Sequence, residues 1–179
     1  EVGAVSLEGR LDLRAVAVLG ENVPLEAVKR LCDEISLTEI LDSASQLQEH
    51  GLITLRAAGN ETWISLDDET CRQAVYDTMS HQSRESWHKE AAAYWLSASR
   101  ANVSQIGEHL FRARDPRSAR WLSRAARQAR RYWSLDLSLR FTRWAILAMH
   151  GRCEPEYRPI CPPFDGELTK AHEGLYNDL

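Results

Sequence analysis

The 179-residue chain has no apolar run approaching the roughly 18–20 residues a membrane-spanning helix needs. Its four cysteines, Cys32, Cys71, Cys153 and Cys161, are too few and too scattered for a disulfide framework. Cys32 and Cys71 fall inside helical patterns, where a free thiol acts as a small apolar group, so the chain reads as cytoplasmic with no membrane partner. There is no GxxxxGK[ST] loop, and hence no P-loop cradle for nucleotide phosphates. No GxSxG elbow, HExxH helix, EF-hand loop or CxxC pair occurs either. With no nucleophile–base pair and no metal set to assemble, the reading is non-enzymatic, with no catalytic, cofactor-binding or metal residues on this chain. Two near-misses stand out. Glu85 and His88 form a single E-x-x-H, whereas a di-metal bundle needs two of these plus further carboxylates. His150, Cys153, Cys161 and His172 offer zinc-type donors, but their spacing matches no common finger. The chain starts at Glu1 with no basic-then-apolar leader, and reads as a segment of something longer.

At 44% hydrophobic and 27% charged residues, the composition is that of an ordinary globular protein, which excludes collagen-like and strongly disordered classes. The net charge of −4 hides a partition. Residues 1–100 hold 9 Lys+Arg against 17 Asp+Glu; residues 101–150 reverse this at 10 against 3; residues 151–179 hold 3 against 6. A basic stretch between acidic ones points to an acidic partner, or to the other half of the same protein.

The pattern predicts a mainly α fold in three parts. The first, 1–67, reads as three helices and a β-hairpin, the winged-helix order. A helix over Leu11–Leu19 stops at Gly20. Pro24 opens a second helix carrying Leu25, Val28, Leu31 and Cys32. Ser36 and Glu39 form a capping box for a third, which places Leu37, Ile40, Leu41, Ala44 and Leu47 on one face and stops at Gly51. Two β-prone runs, 52–56 and 61–66, flank a loop at Gly59-Asn60. The second part, 68–150, reads as an array of helical hairpins with tetratricopeptide-like small-residue character, its helices starting near Asp67 or Asp68, Ser80, Ser104, Pro116 and Leu135. The third, 151–179, is a Pro-rich linker and a short terminal segment, with a weak helical pattern over 166–177.

Several motifs fall in an order that carries a resemblance: Ala15-Val16-Ala17-Val18-Leu19-Gly20 ending a helix; Leu47 to Ile53 closing the winged helix; Ala74-Val75-Tyr76; Arg84-Glu85-Ser86-Trp87-His88; and the run from Ile106 to Ala129. Over about 11–150 this resembles the region after the nucleotide-binding core in signal-transduction ATPases with numerous domains. That class includes maltose-regulator-like activators and the ATPase modules attached to bacterial cyclases and Ser/Thr kinases. The resemblance implies a regulatory and protein-interaction module that packs on an upstream ATPase core, where ATP or ADP would bind, and docks a partner. Many members carry a His where strand meets helix, a position that can sense ADP. Here Asp68 stands in its place, and a carboxylate repels phosphate unless a metal intervenes. This departure from the family pattern counts against direct nucleotide sensing by this module and marks Asp68 as the candidate position at which a switch is tested.

The sharpest surface feature is a line of arginines. At 100° per residue Arg117, Arg120, Arg124, Arg127 and Arg131 share one side of a helix, with Ala119, Leu122, Ala126, Ala129 and Trp133 about opposite. The apolar side is expected inward. The arginines then form either a solvated face or a docking face for an acidic protein, a nucleotide or a nucleic acid. Trp121, between the two faces, is the candidate interface anchor. DNA binding through the wing is disfavoured, because the third helix contains Glu39, Asp42 and Glu49 and no Lys or Arg, while the wing offers only Arg56 against Glu61. A nucleic-acid-binding regulator using the arginine face is the alternative function.

Overall fold

A computed structural model describes residues 7–59, 61–66, 68–98 and 102–151, with side chains from Leu13 onward. The protein is mainly helical, with a small three-stranded antiparallel sheet. It divides into two compact units, Glu1–Ser99 and Arg100–Leu179. No helix among the described residues is long and apolar enough to cross a membrane.

The first unit is organised around α1 (Leu7–Leu19). Its run Ala15-Val16-Ala17-Val18-Leu19 is buried on every side, as expected for a helical stretch with no polar residue on any face. Around it pack α2 (Leu25–Leu31), α3 (Leu37–Glu49), α4 (Glu69–Asp77) and α5 (His81–Ser97). The capping box at the start of α3 is formed: Ser36 N donates to Glu39 Oε2 at 2.8 Å, and Glu39 N donates to Ser36 Oγ at 3.3 Å. Ile40, Ala44 and Leu47 are buried, but Leu37 is 47% exposed, a departure from the expected face. As the first residue of the helix, Leu37 lies at the edge of that stripe. β2 (Ile53–Ala58) and β3 (Glu61–Leu66) make the expected hairpin, in register Leu55↔Ile64 and Arg56↔Trp63. No sequence pattern announces β1 (Val23–Pro24), which adds to the free edge of β3 through Val23↔Ile64. Pro24, with no N–H to offer, suits an edge strand and then stands at the N-cap position of α2 without a side-chain cap bond. The grouping of 68–98 with a helical array is not how these helices pack: α4 and α5 lie on α1 and α2 within the first unit.

The described part of the second unit is α6 (Val103–Arg112), α7 (Ser118–Arg131) and α8 (Leu135–Met149). α7 packs against both neighbours over a core of Phe111, Leu122, Ala125, Ala126, Ala129, Phe141, Trp144 and Ala145. Small residues set how closely the helices approach. A Cβ on Gly107 would sit 3.2 Å from the backbone N of Leu122, so glycine lets α6 lie almost on the main chain of α7. Trp144 stacks on Phe111 with ring centroids 5.3 Å apart and meets Phe141 edge-on at 6.1 Å, tying the end of α6 to α8. The weak helical pattern over 166–177, and the donors Cys153, Cys161 and His172, lie outside the described residues.

Candidate functional site

The arginine face is built by the registry of α7. Leu122, Ala125, Ala126 and Ala129 are buried, which turns Arg120, Arg124, Arg127 and Arg131 outward, and all four are exposed. Their spacing of four, three and four residues draws a line about 16 Å long at 1.5 Å per residue. None of these four has an ion-pair partner among the described residues. Arg117 is different. It is the N-cap of α7, and its Nε and Nη2 hold the Asp115 carboxylate at 3.0 and 2.8 Å. Its charge is thus spent on fixing the turn into the helix.

The two tryptophans of the region differ in exposure, and Trp133 departs from expectation. Trp121 is half-buried, and the Arg124 guanidinium lies 5.3 Å from its ring centroid; it backs an arginine. Trp133, expected on the buried side, is 88% exposed. The reason is the end of the helix: α7 stops at Arg131, and Trp133 follows the C-cap at φ +59, so the wheel that places it opposite the arginines no longer applies.

Asp68, in the first unit, is exposed and caps α4, accepting from Thr70 N at 2.9 Å. Beside it Arg72 is held by Glu69 and donates to Ala17 O at 3.2 Å, binding α4 to α1. Hydrogen bonding to Arg72 holds Glu69 below the ordinary carboxylate range. Glu85 and His88 do not converge: Glu85 is exposed, whereas His88 is buried with Nε2 2.8 Å from Tyr76 Oη.

That hydrogen bond belongs to a polar cluster that draws two of the motifs, Ala74-Val75-Tyr76 and Arg84 to His88, together. The Arg84 guanidinium sits 4.6 Å above the Tyr76 ring and 3.5 Å from Asp77. Arg84 and His88 are both buried on the α5 face that also carries Ala91 and Trp95. The spacing 84, 88, 91, 95 is the available signal, because a charged and an ionisable residue on an apolar stripe call for partners. The cluster joins α4 to α5 and meets solvent at Asp77. Among the described residues no group of three His, Cys, Asp or Glu side chains is placed to hold a metal. No protein-family model matches the chain, and neither does any curated protein or solved structure.

Proposed function

We propose that this chain is a non-catalytic regulatory and interaction module of a larger nucleotide-switch signalling protein, in which the arginine face of α7 docks an acidic partner. The observation that carries the reading is the line Arg120–Arg124–Arg127–Arg131, four exposed guanidiniums with no ion pair among the described residues. Arginines that serve only solubility are usually interspersed with acids. Here the described part of the second unit, 102–151, has 10 arginines against Glu108, Asp115 and Asp136. Such a field steers an acidic ligand and raises its association rate.

Two architectural readings go with it. The order α1–α2–α3–β2–β3, with β1 completing the sheet, supports a winged helix. Its third helix exposes Asp42 and Glu49, which suits packing on protein better than on a duplex. The short connections of α6–α7 and α7–α8, and the close approach at Gly107, support a tetratricopeptide-like stack. On the resemblance drawn from the motifs, the winged helix packs on an ATPase core and Asp68 lies at the switch.

The docking face is tested by titrating the chain with poly-glutamate and with duplex DNA over a salt series. The reading expects poly-glutamate to bind and the Arg124→Glu/Arg127→Glu variant to bind it at least tenfold more weakly, a loss of about 1.4 kcal/mol or more. Duplex DNA binding more tightly than poly-glutamate, with a steep salt dependence, would favour the nucleic-acid alternative. The switch is tested by titrating the chain against the upstream segment of its parent protein with ADP, with ATP and without nucleotide. Affinity should change with nucleotide and should respond to Asp68→His. Equal affinity in all three states removes the switch, since a ligand shifts an equilibrium only through differential binding.

A further inference from the structure

Several helices in this chain end on a left-handed residue, and one of them is out of place. α3 ends at Gly51, φ +67, and α8 at Gly151, φ +64; glycine takes this conformation without a Cβ clash. α6 ends at Arg114, φ +54, a charged side chain that belongs in water. α7 ends at Trp133, φ +59. Trp133 N donates to Arg130 O at 3.1 Å and Ser134 N to Ala129 O at 3.0 Å, the paired bonds of a Schellman turn that glycine usually closes. An indole there carries the strain of the left-handed region and gains no burial, being 88% exposed. Around it Tyr132 is 76%, Leu135 61% and Leu139 63% exposed. Folding alone gives no reason for a strained residue that also holds its apolar surface in water, and such residues concentrate at binding sites.

We propose that the Tyr132–Trp133 turn, with Leu135 and Leu139 on the first turns of α8, is the apolar anchor of the arginine face, and that together they bind an acidic amphipathic helix of a partner protein. The inference rests on the docking reading above and adds where the partner inserts and what it looks like. Arg131 is followed directly by Tyr132 and Trp133, so the line of cations runs into the apolar turn. A partner helix with carboxylates along one edge neutralises Arg120, Arg124, Arg127 and Arg131, while its apolar residues cover Trp133 and the two leucines. The leucines decide between classes of partner. Nucleic-acid bases stack on an indole or a phenol, but an aliphatic side chain offers no stacking plane and stays in water beside a base.

The test uses the whole chain and three probes. One is a peptide of about five helical turns with leucines along one face and glutamates elsewhere. The second is the same peptide with the leucines scrambled off the face, and the third is oligo(dT). The amphipathic peptide should bind at least tenfold more tightly than its scrambled twin. Trp133→Gly should weaken that binding at least tenfold while raising Tm by roughly 3–6 °C, because glycine relieves the strained turn. If Trp133→Gly binds like the parent while Arg124→Gln/Arg127→Gln loses affinity, the anchor is refuted and the docking face stands. If neither variant changes binding, or neither peptide binds, both fall. Oligo(dT) binding more tightly than the peptide and depending on Trp133 makes the turn a base-stacking platform, which overturns the helix-docking proposal. A fall in Tm for Trp133→Gly means that the indole supports the fold, which also overturns it.

Discussion

Trp144→Ala should cost the second unit about 3–5 kcal/mol, the range for deleting a large aromatic from a packed core. Trp144 is only 7% exposed and stands where three helices meet. Phe111 of α6 lies flat on it, with the ring planes 16° apart, and Phe141 meets its edge. Arg112 and Arg140 add guanidiniums at 5.8 and 5.2 Å from its ring centroid, each worth about 0.5–2 kcal/mol as a cation–π contact. Alanine removes all four contacts and leaves a void in the core it shares with Ala125, Ala126 and Ala129, whose small side chains have nothing to extend into it. Because domains of this size hold only about 5–15 kcal/mol in total, the variant should lose most of its amide protection within 102–151. Hydrogen exchange reads this directly. Protection in 102–151 unchanged from the parent would show that the aromatic stack is not what holds α6 to α8.

Much of this framework is legible in the amino-acid sequence. The Ser36/Glu39 capping box, the stops at Gly20 and Gly51, the hairpin around Gly59 and the span Leu135–Met149 all follow from local rules whose partners lie within a few residues. The features that escape such rules depend on partners distant in sequence. β1 is two residues long and contains a proline, so it has no period to detect; only its pairing with Ile64 and Trp63 makes it a strand. The packing of α4 and α5 on α1 is set by its run over 15–19, buried on all sides, and a run of that kind carries no record of which neighbour takes which face. The arginine line is readable because α7 is amphipathic from end to end. The position of Trp133 is not, because a helical wheel has no memory of where the helix stops. A tryptophan in a C-terminal position usually taken by glycine gives no sequence signal of its own, and it becomes informative only once its dihedral angle and exposure are known together.

Acidification should destabilise the second unit between about pH 6.5 and pH 4. His109, on α6, is 4% exposed, and burial pushes its pKa down from the ordinary 6.5 to about 4, an effect Arg112 reinforces and Glu108 opposes. The unfolded chain takes up a proton at the ordinary value while the folded one resists until about 4. Below pH 6.5 each unit of pH therefore favours unfolding by about 1.4 kcal/mol, reaching roughly 3 kcal/mol where the folded state finally protonates. The carboxylates act in a lower window and in the other unit. Glu39, bonded to Ser36, and Glu69, bonded to Arg72, both lie below the ordinary 4.5. Their stabilisation is intact above that value and is lost only as pH falls below it. Urea unfolding at pH 7.5, 6.0 and 5.0, followed by exchange within 102–151, separates the two windows. His109→Gln keeps a polar side chain of similar reach but cannot titrate, so its stability should be flat from pH 7.5 to 5.0. A slope as steep as the parent's in that variant would move the acid sensitivity to another group and leave His109 a structural residue of α6.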